Sequence, residues 1–334
     1  MNRFFTELRN EIWGVSTTLF KIMIPTLLVV KALEMMGLLD YLAIASGPLM
    51  SLVGLPESMG IVWVTTLFTN IYTGMLVFFY AQQAEPLTVA QVTIISLLML
   101  IAHALPIEAR IARQAGIRIR FTLLLRLGGG LILAAILNQL YLAFDYLQQP
   151  SELIWQPELP DTSLWAWVKS QAESLLMIQL IIIALLTSLK VMKVLGIERL
   201  MKWLLSPVLK LLGIGHQASS LTIIGVTLGI NFGGGLLIYE SRAGHISKKD
   251  VFAAMSFLAL CHSIIEDTLL VMVLGADLSG VLWARLIFSI GVIALLTRFV
   301  NRLSDETWNK HLTNQYLNKA QTSNNAEEQA AQAV

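Results

Sequence analysis

The apolar positions of this chain come in long runs separated by short polar or basic breaks, and those runs predict its elements. They fall near 14–36, 58–83, 88–109, 121–145, 166–195, 218–241, 250–275 and 280–303. About 20 apolar residues carry a helix across the ~30 Å hydrocarbon core of a bilayer, so spanning helices are expected. Two amphipathic stretches, Leu38–Val53 and Arg199–Leu212, interrupt them, and each contains a proline (Pro48, Pro207). Both are too short and too polar to span, and read as helices lying in the interface. Residues 146–165 form a Pro-rich acidic external loop, and from about Ser304 to residue 334 the chain turns polar and Ala/Gln/Asn-rich, predicting a disordered tail.

One run is ambiguous. Ser58 to Gln83, SMGIVWVTTLFTNIYTGMLVFFYAQQ, is apolar enough to cross once, but its centre is Thr69-Asn70-Ile71-Tyr72-Thr73-Gly74. It divides equally into two limbs of roughly 12 residues, each ~18 Å long, that enter and return from the same face.

The chain also repeats itself. A shift of 159 residues superposes Lys31 on Lys190, Gly37 on Gly196, Pro48 on Pro207 and Gly54 on Gly213. The same shift later brings His103 onto His262, Gly116 onto Gly275 and Arg126 onto Arg285, while a two-residue slip between them places Asn70 on Asn231 and Gly74 on Gly235. The first copy occupies 1–145 and the second 166–303.

Charge decides the topology. Arg110, Arg113, Arg118 and Arg120 crowd the loop 109–120, and further Lys and Arg fill 190–210 and 242–249, whereas 80–88 and 146–165 have none. Basic loops stay cytoplasmic. If 58–83 and 218–241 are re-entrant hairpins, every basic loop lies inside and both loops free of Lys and Arg lie outside. Each copy then crosses three times, so the second is inverted and both termini are cytoplasmic. The expected fold is an all-α polytopic membrane protein of two inverted repeats, each with three spanning helices, an interfacial helix and a re-entrant hairpin. Inverted repeats with discontinuous helices meeting at the midplane are the architecture of secondary transporters.

Composition agrees: 56% of residues are hydrophobic and only 13% charged, with mean hydropathy +0.69, where a soluble domain carries about 25% charge. A net charge of +1 selects no partner, and no basic run with interleaved aromatics points to nucleic acid. The single cysteine, Cys261, excludes a disulfide framework and a Cys-rich metal site. MNRFFTELRNEIWG has no small-residue cleavage site and reads as an amphipathic cytoplasmic lead-in.

Candidate chemistry lies in two kinds of place. The hairpin tips carry Thr69, Asn70 and Thr73 in one copy and Asn231, Gly233 and Gly234 in the other. Backbone freed from its helix must be buried in protein or line a wet cavity, so these are the substrate-binding candidates; the plainer reading is that glycines aid packing and the Asn amides cap the limbs. The second place is the pair of segments after the hairpins, IAHALPIE (Ile101 to Glu108) and CHSIIED (Cys261 to Asp267). Pro106 disfavours helix at Leu105, which predicts a break there. His103, Glu108, His262, Ser263, Glu266 and Asp267 are the ion-coupling candidates, because charge inside an apolar segment is costly and usually serves an ion or proton path. Glu108 is the weakest, being close enough to the cytoplasmic arginines simply to pair with one. Arg126, Arg285, Lys31 and Lys190 read as snorkelling side chains, with a carboxylate pair to Glu108 or Asp267 as the minority reading for the arginines, and Trp13, Trp165, Trp167 and Trp283 suit an aromatic belt. The GGG run lacks the following Lys-Ser/Thr of a P-loop, and HExxH and CxxC motifs are missing, so no enzyme and no metal centre are expected.

An interfacial helix ending in Gly-Leu-Pro, a hairpin with TNIYTG and a broken helix with AHALPIE resemble the nucleoside-recognition (Gate) domain family. GINFGGG and CHSIIED look like a second copy of the same domain. That family includes spore maturation proteins A and B, parts of concentrative nucleoside transporters and the membrane portion of bacterial ferrous-iron transporters. The resemblance covers roughly residues 15–303 and implies a two-repeat carrier whose hairpin tips and broken helices line the site. The resulting expectation is an inner-membrane secondary transporter of a small polar or cationic solute, coupled to H⁺ or Na⁺, without a cofactor. Its partners are the solute and the lipid bilayer, with a homo-oligomer left open. The rival readings are a non-transporting scaffold or accessory subunit of the spore-maturation type, and a divalent-metal permease.

Overall fold

A computed structural model of the chain describes residues 2–152, 163–230, 238–239, 246–300 and 302–314. The helices are α1 (Asn2–Met35), α2 (Leu38–Leu52), α3 (Met59–Phe68), α4 (Ile71–Ala84), α5 (Val89–Ile101), α6 (Leu105–Gln114) and α7 (Ile119–Ala143). Further along the chain come α8 (Leu164–Val194), α9 (Ile197–Leu211), α10 (His216–Leu228), α11 (Lys248–Leu260), α12 (Glu266–Met272), α13 (Ser279–Val300) and α14 (Asp305–His311). Among the described residues, β-pairing is limited to isolated bridges, Thr88 with Pro150 and Ile117 with Thr313. In the same residues three helices, α7, α8 and α13, are long and apolar enough to cross a membrane, and α5 with α6 makes a fourth if that broken pair counts as one span.

Two compact units form. The first comprises Met1–Ala104, Leu131–Ile197 and Glu266–Val281; the second comprises Leu105–Gly130, Glu198–Ile265 and Leu282–Val334. Neither unit coincides with one sequence copy, because each draws segments from both.

In the first unit the ambiguous run 58–83 is two helices, interrupted at Thr69-Asn70. Gly74 and Thr66 flank Asn70 symmetrically, and a Cβ on Gly74 would lie 1.9 Å from Thr66 Oγ1. The limbs therefore fold back on each other, and only a glycine allows that approach. Next, α5 begins with a capping box between Thr88 and Gln91, which satisfies donors that a helix start leaves without partners, and it ends at Ile101. Pro106 sits in the first turn of α6, where its missing N–H costs nothing. The break accordingly falls at 102–104, with Ala104 in the left-handed region (φ 45°), and Leu105, expected at the break, is already helical.

The 159-residue shift reappears in the backbone. It relates α2 to α9 and α5 to α11 end for end. It also relates the left-handed residues Gly37 and Gly196, Gly54 and Gly213, Ala104 and Ser263, and Gly116 and Gly275. Ala104 N–H donates to Thr66 O at 3.1 Å and Ser263 N–H to Gly225 O at 3.4 Å. The register still holds at Gly225, so the two-residue slip lies between Gly225 and Asn231.

Two expectations change. The lead-in is not separate: α1 runs unbroken from Asn2, because Glu7 and Glu11 on its first turns reach Lys190 of α8 at 3.5 and 2.8 Å. Lys190 is thereby held by two half-exposed carboxylates, while the Lys31 ammonium lies 5.8 Å from the ring centre of Trp167. The tail is ordered as far as Asn314. Ser304 caps α14, Trp308 is buried against Phe252, and Arg118 donates to Thr313 O and Asn309 O at 2.8 and 2.9 Å. Residues 315–334 lie outside the described chain.

Candidate functional site

Among the described residues each unit has a buried polar cluster at a helix break. In the first, the two helix breaks meet, joined by the Ala104–Thr66 hydrogen bond. Asn70 caps α4: its Oδ1 accepts from Thr73 N–H at 3.0 Å and from Thr73 Oγ1–H at 3.3 Å. The capping reading is thus realised, but it uses only half of the amide. Asn70 Nδ2 is buried and has no hydrogen-bond partner among the described residues, as have the hydroxyls of Tyr72, Ser96 and Thr268. Thr73 is fully buried, and Thr69 hydroxyl turns back to Thr65 O at 2.6 Å.

Facing the break at 102–104 is the start of α12, which packs on α5. His103 Nδ1 lies 3.0 Å from Met99 O and its Nε2 lies 3.8 Å from Asp267 Oδ2. Glu266 is within electrostatic reach of both His103 and Asp267, and Tyr72 of Glu266 and Asp267. Buried polar groups are almost always hydrogen-bonded, so the unpartnered Asn70 amide at the break and the Tyr72 and Thr268 hydroxyls near Glu266 and Asp267 mark a place built to receive polar matter.

The second unit repeats the histidine with a different neighbour. His262 Nδ1 lies 2.7 Å from Leu258 O, and Nε2 lies 3.4 Å from Glu108 Oε1. Glu108 Oε2 accepts from Arg126 Nη1. Only 3% of the Glu108 side chain and none of the Arg126 side chain is accessible. Arg285, also fully buried, donates from Nε to Leu260 O at 3.0 Å and from Nη2 to His262 O at 2.7 Å. These are carbonyls that the end of α11 leaves without helical partners. Neither arginine snorkels: Arg126 takes the alternative expectation, a carboxylate pair with Glu108, and Arg285 is held by the carbonyls of a broken helix end. Each lies in or directly after a π-helical turn, Leu124–Gly128 or Ser279–Ala284, a distortion common at functional positions.

At the 159-residue shift Glu108 corresponds to Asp267 as His103 does to His262. Each histidine therefore faces the carboxylate of the other copy: His103 of the first copy meets Asp267 of the second, and His262 meets Glu108. Among the carboxyls Glu108 carries the weakest signal in the sequence, and nothing there marks Ser96 or Thr268. The signal for Glu108 is its match to Asp267 at the same shift that brings Arg126 onto Arg285. Ser263 serves the backbone: it is left-handed (φ 46°), and its Oγ would lie 2.7 Å from a Cβ on Gly229. Asn231, Gly233 and Gly234 lie outside the described residues.

No protein-family model matches the chain, and no solved structure matches it. Among curated proteins it is 29% identical over 301 residues to the uncharacterized membrane protein YvoD of Bacillus subtilis (strain 168), a match covering 88% of this chain and 91% of that protein. Similarity along almost the full length of a membrane protein, together with helices apolar enough to span, identifies this chain as a membrane protein.

Proposed function

We propose that the chain is a secondary active transporter of the bacterial inner membrane, moving a small polar or cationic solute with coupling to an ion gradient. The reading takes 58–83 and 218–241 as re-entrant hairpins, the two copies as inverted repeats of the nucleoside-recognition type, and both termini as cytoplasmic. The observation that carries it is the convergence in the first unit of two helix breaks with Asn70, Tyr72, His103, Glu266 and Asp267. Irregular backbone and unpaired polar groups at membrane depth are tolerated where they line a solute path. Asn70 Nδ2 and the Tyr72 hydroxyl would donate to acceptors on the solute, and Glu266 and Asp267 would draw its cationic end. Asn231, Gly233 and Gly234 would complete the second tip.

The test begins with thermal-shift measurements on purified protein against nucleosides, amines, peptidoglycan precursors and divalent metals. A stabilising compound is then followed in proteoliposome counterflow. Asn70→Ala should abolish exchange while the protein stays monodisperse. Normal exchange in that variant refutes the site, and no stabilisation by any compound, with a co-purifying partner, favours the scaffold reading.

A further inference from the structure

We propose that α9 is a docking surface for anionic phospholipid: its row of cations holds the phosphodiester headgroup, and an adjoining apolar strip lies along the acyl chains. The proposal concerns the second unit alone and stands whether or not the chain moves a solute.

At about 100° per residue the side chains of α9 sort into three sectors. Leu205 and Leu209 are buried and form the seam by which the helix joins its unit. Leu200, Trp203, Leu204 and Leu211 occupy a second sector, about 100° wide. All four are exposed, Trp203 and Leu211 at 72% and 73%. Arg199, Lys202, Ser206 and Lys210 fill the third, about 80° wide, between the other two. The three cations are exposed and make no ion pair with any described residue, while Ser206 Oγ–H donates to Lys202 O at 2.5 Å. An open recess of about 650 Å³ lies where the basic and exposed apolar sectors meet, lined by Arg199, Lys202, Trp203, Leu204, Ser206 and Pro207.

The repeat shows that the fold does not need these cations. At the 159-residue shift Arg199, Lys202, Trp203 and Lys210 stand opposite Asp40, Ala43, Ile44 and Ser51. There α2 forms over the same fifteen positions without a single Lys or Arg. Like charges three apart on a helix work against it, as Arg199 and Lys202 do here, and an anion between them reverses the sign. The apolar strip decides which anion. Free phosphate would use the cations and leave Leu200, Trp203, Leu204 and Leu211 in water. A phospholipid satisfies both sectors: the guanidinium fork matches phosphate oxygens, and an indole suits the boundary between headgroup and hydrocarbon. Apolar area beside basic side chains is how a helix binds an anionic bilayer surface.

The experiment titrates the full-length protein, in neutral detergent, with phosphatidylglycerol, phosphatidylcholine or inorganic phosphate. Binding is read by native mass spectrometry and by the thermal unfolding midpoint. Phosphatidylglycerol should bind, raise the midpoint and weaken as salt rises, whereas the other two at equal concentration should do neither. Arg199→Gln, Lys202→Gln and Lys210→Gln should each weaken binding about fivefold, and together about a hundredfold. The single variants serve if the triple one does not fold. Lys202→Arg, which keeps the charge, should bind as wild type does, and so should Lys248→Gln with Lys249→Gln, which removes cations elsewhere in the same unit. Equal binding of the two lipids, an equal response to inorganic phosphate, or unchanged binding in the α9 variants overturns the proposal. So does a triple variant that elutes as a smaller species with its lipid binding intact, because the strip would then be covered by a second copy of the chain.

Discussion

Removing one partner from the Glu108–Arg126 pair should be among the most damaging single changes to this protein. The two side chains are 3% and 0% accessible, so neither charge can fall back on water. Deleting one member of a buried pair leaves the other uncompensated, at a cost of about 3–5 kcal/mol. Glu108→Gln should cost more than Arg126→Met, because it strands Arg126 and also leaves His262 Nε2 without the carboxylate 3.4 Å away. The double variant should recover most of the loss, since replacing both charges by neutral groups of similar size is often close to neutral. Reversible unfolding in mixed micelles, with all four proteins of the cycle compared at a common denaturant slope, gives the coupling energy. The geometry predicts at least about 2 kcal/mol, near the upper end for contacting residues. A coupling below about 0.5 kcal/mol, the range of independent sites, would mean that Arg126 reaches the interface after all.

Three further outcomes follow from contacts in the same two clusters and their supports. Gly74→Ala places a methyl 1.9 Å from Thr66 Oγ1 and 2.9 Å from Met99 Cε, and should destabilise by about 1–3 kcal/mol; a wild-type unfolding midpoint would show that α3 and α4 do not pack through this glycine. Asn70→Ala removes a helix cap and should cost about 1 kcal/mol of stability, far less than its effect on exchange, so loss of fold in this variant would undercut its use as a site probe. Trp308→Ala should release α14 from its seat beside Phe252 and speed hydrogen exchange at the Arg118 amide, which donates to Leu312 O. Unchanged exchange there would show that the Arg118 side chain, not the indole, holds the tail.

Much of the helix pattern was legible in the chain because punctuation marked it. Glycines at 37, 54, 196 and 213, all left-handed, bracket α2 and α9, and the bounds of these two amphipathic helices follow from the sequence to within two residues. The break after α5 was foreseen but misplaced, since a proline weighs against helix before it and is harmless in a first turn; Ala102–Ala104, with no mark of their own, carry the interruption. Arg126 and Arg285 were misread for a different reason. Depth along a helix can be counted, but whether an acceptor waits inside depends on which other helix arrives. The docked α14 was hidden by composition: a polar tract reads as disordered until one tryptophan finds an aromatic seat.

The crossing of the copies is what one dimension could not convey. A repeat invites the reading that each copy folds as its own body, yet the chain passes between compact units after Ala104, Gly130, Ile197, Ile265 and Val281. The first and fourth of these points are the two helix breaks, and each lies between a histidine and its own copy's carboxylate. A continuous helix at either place would put Glu108 or Asp267 five residues beyond the histidine of the same copy, about 1.4 turns and roughly 140° round the axis, where the two side chains do not face each other. Interrupting it lets the carboxylate join the other copy's histidine instead. The left-handed residues Ala104 and Ser263, costly for side chains with a Cβ, therefore have a stated return. They bring each buried histidine to a carboxylate of the other copy, which makes it depend on that copy for its counter-charge.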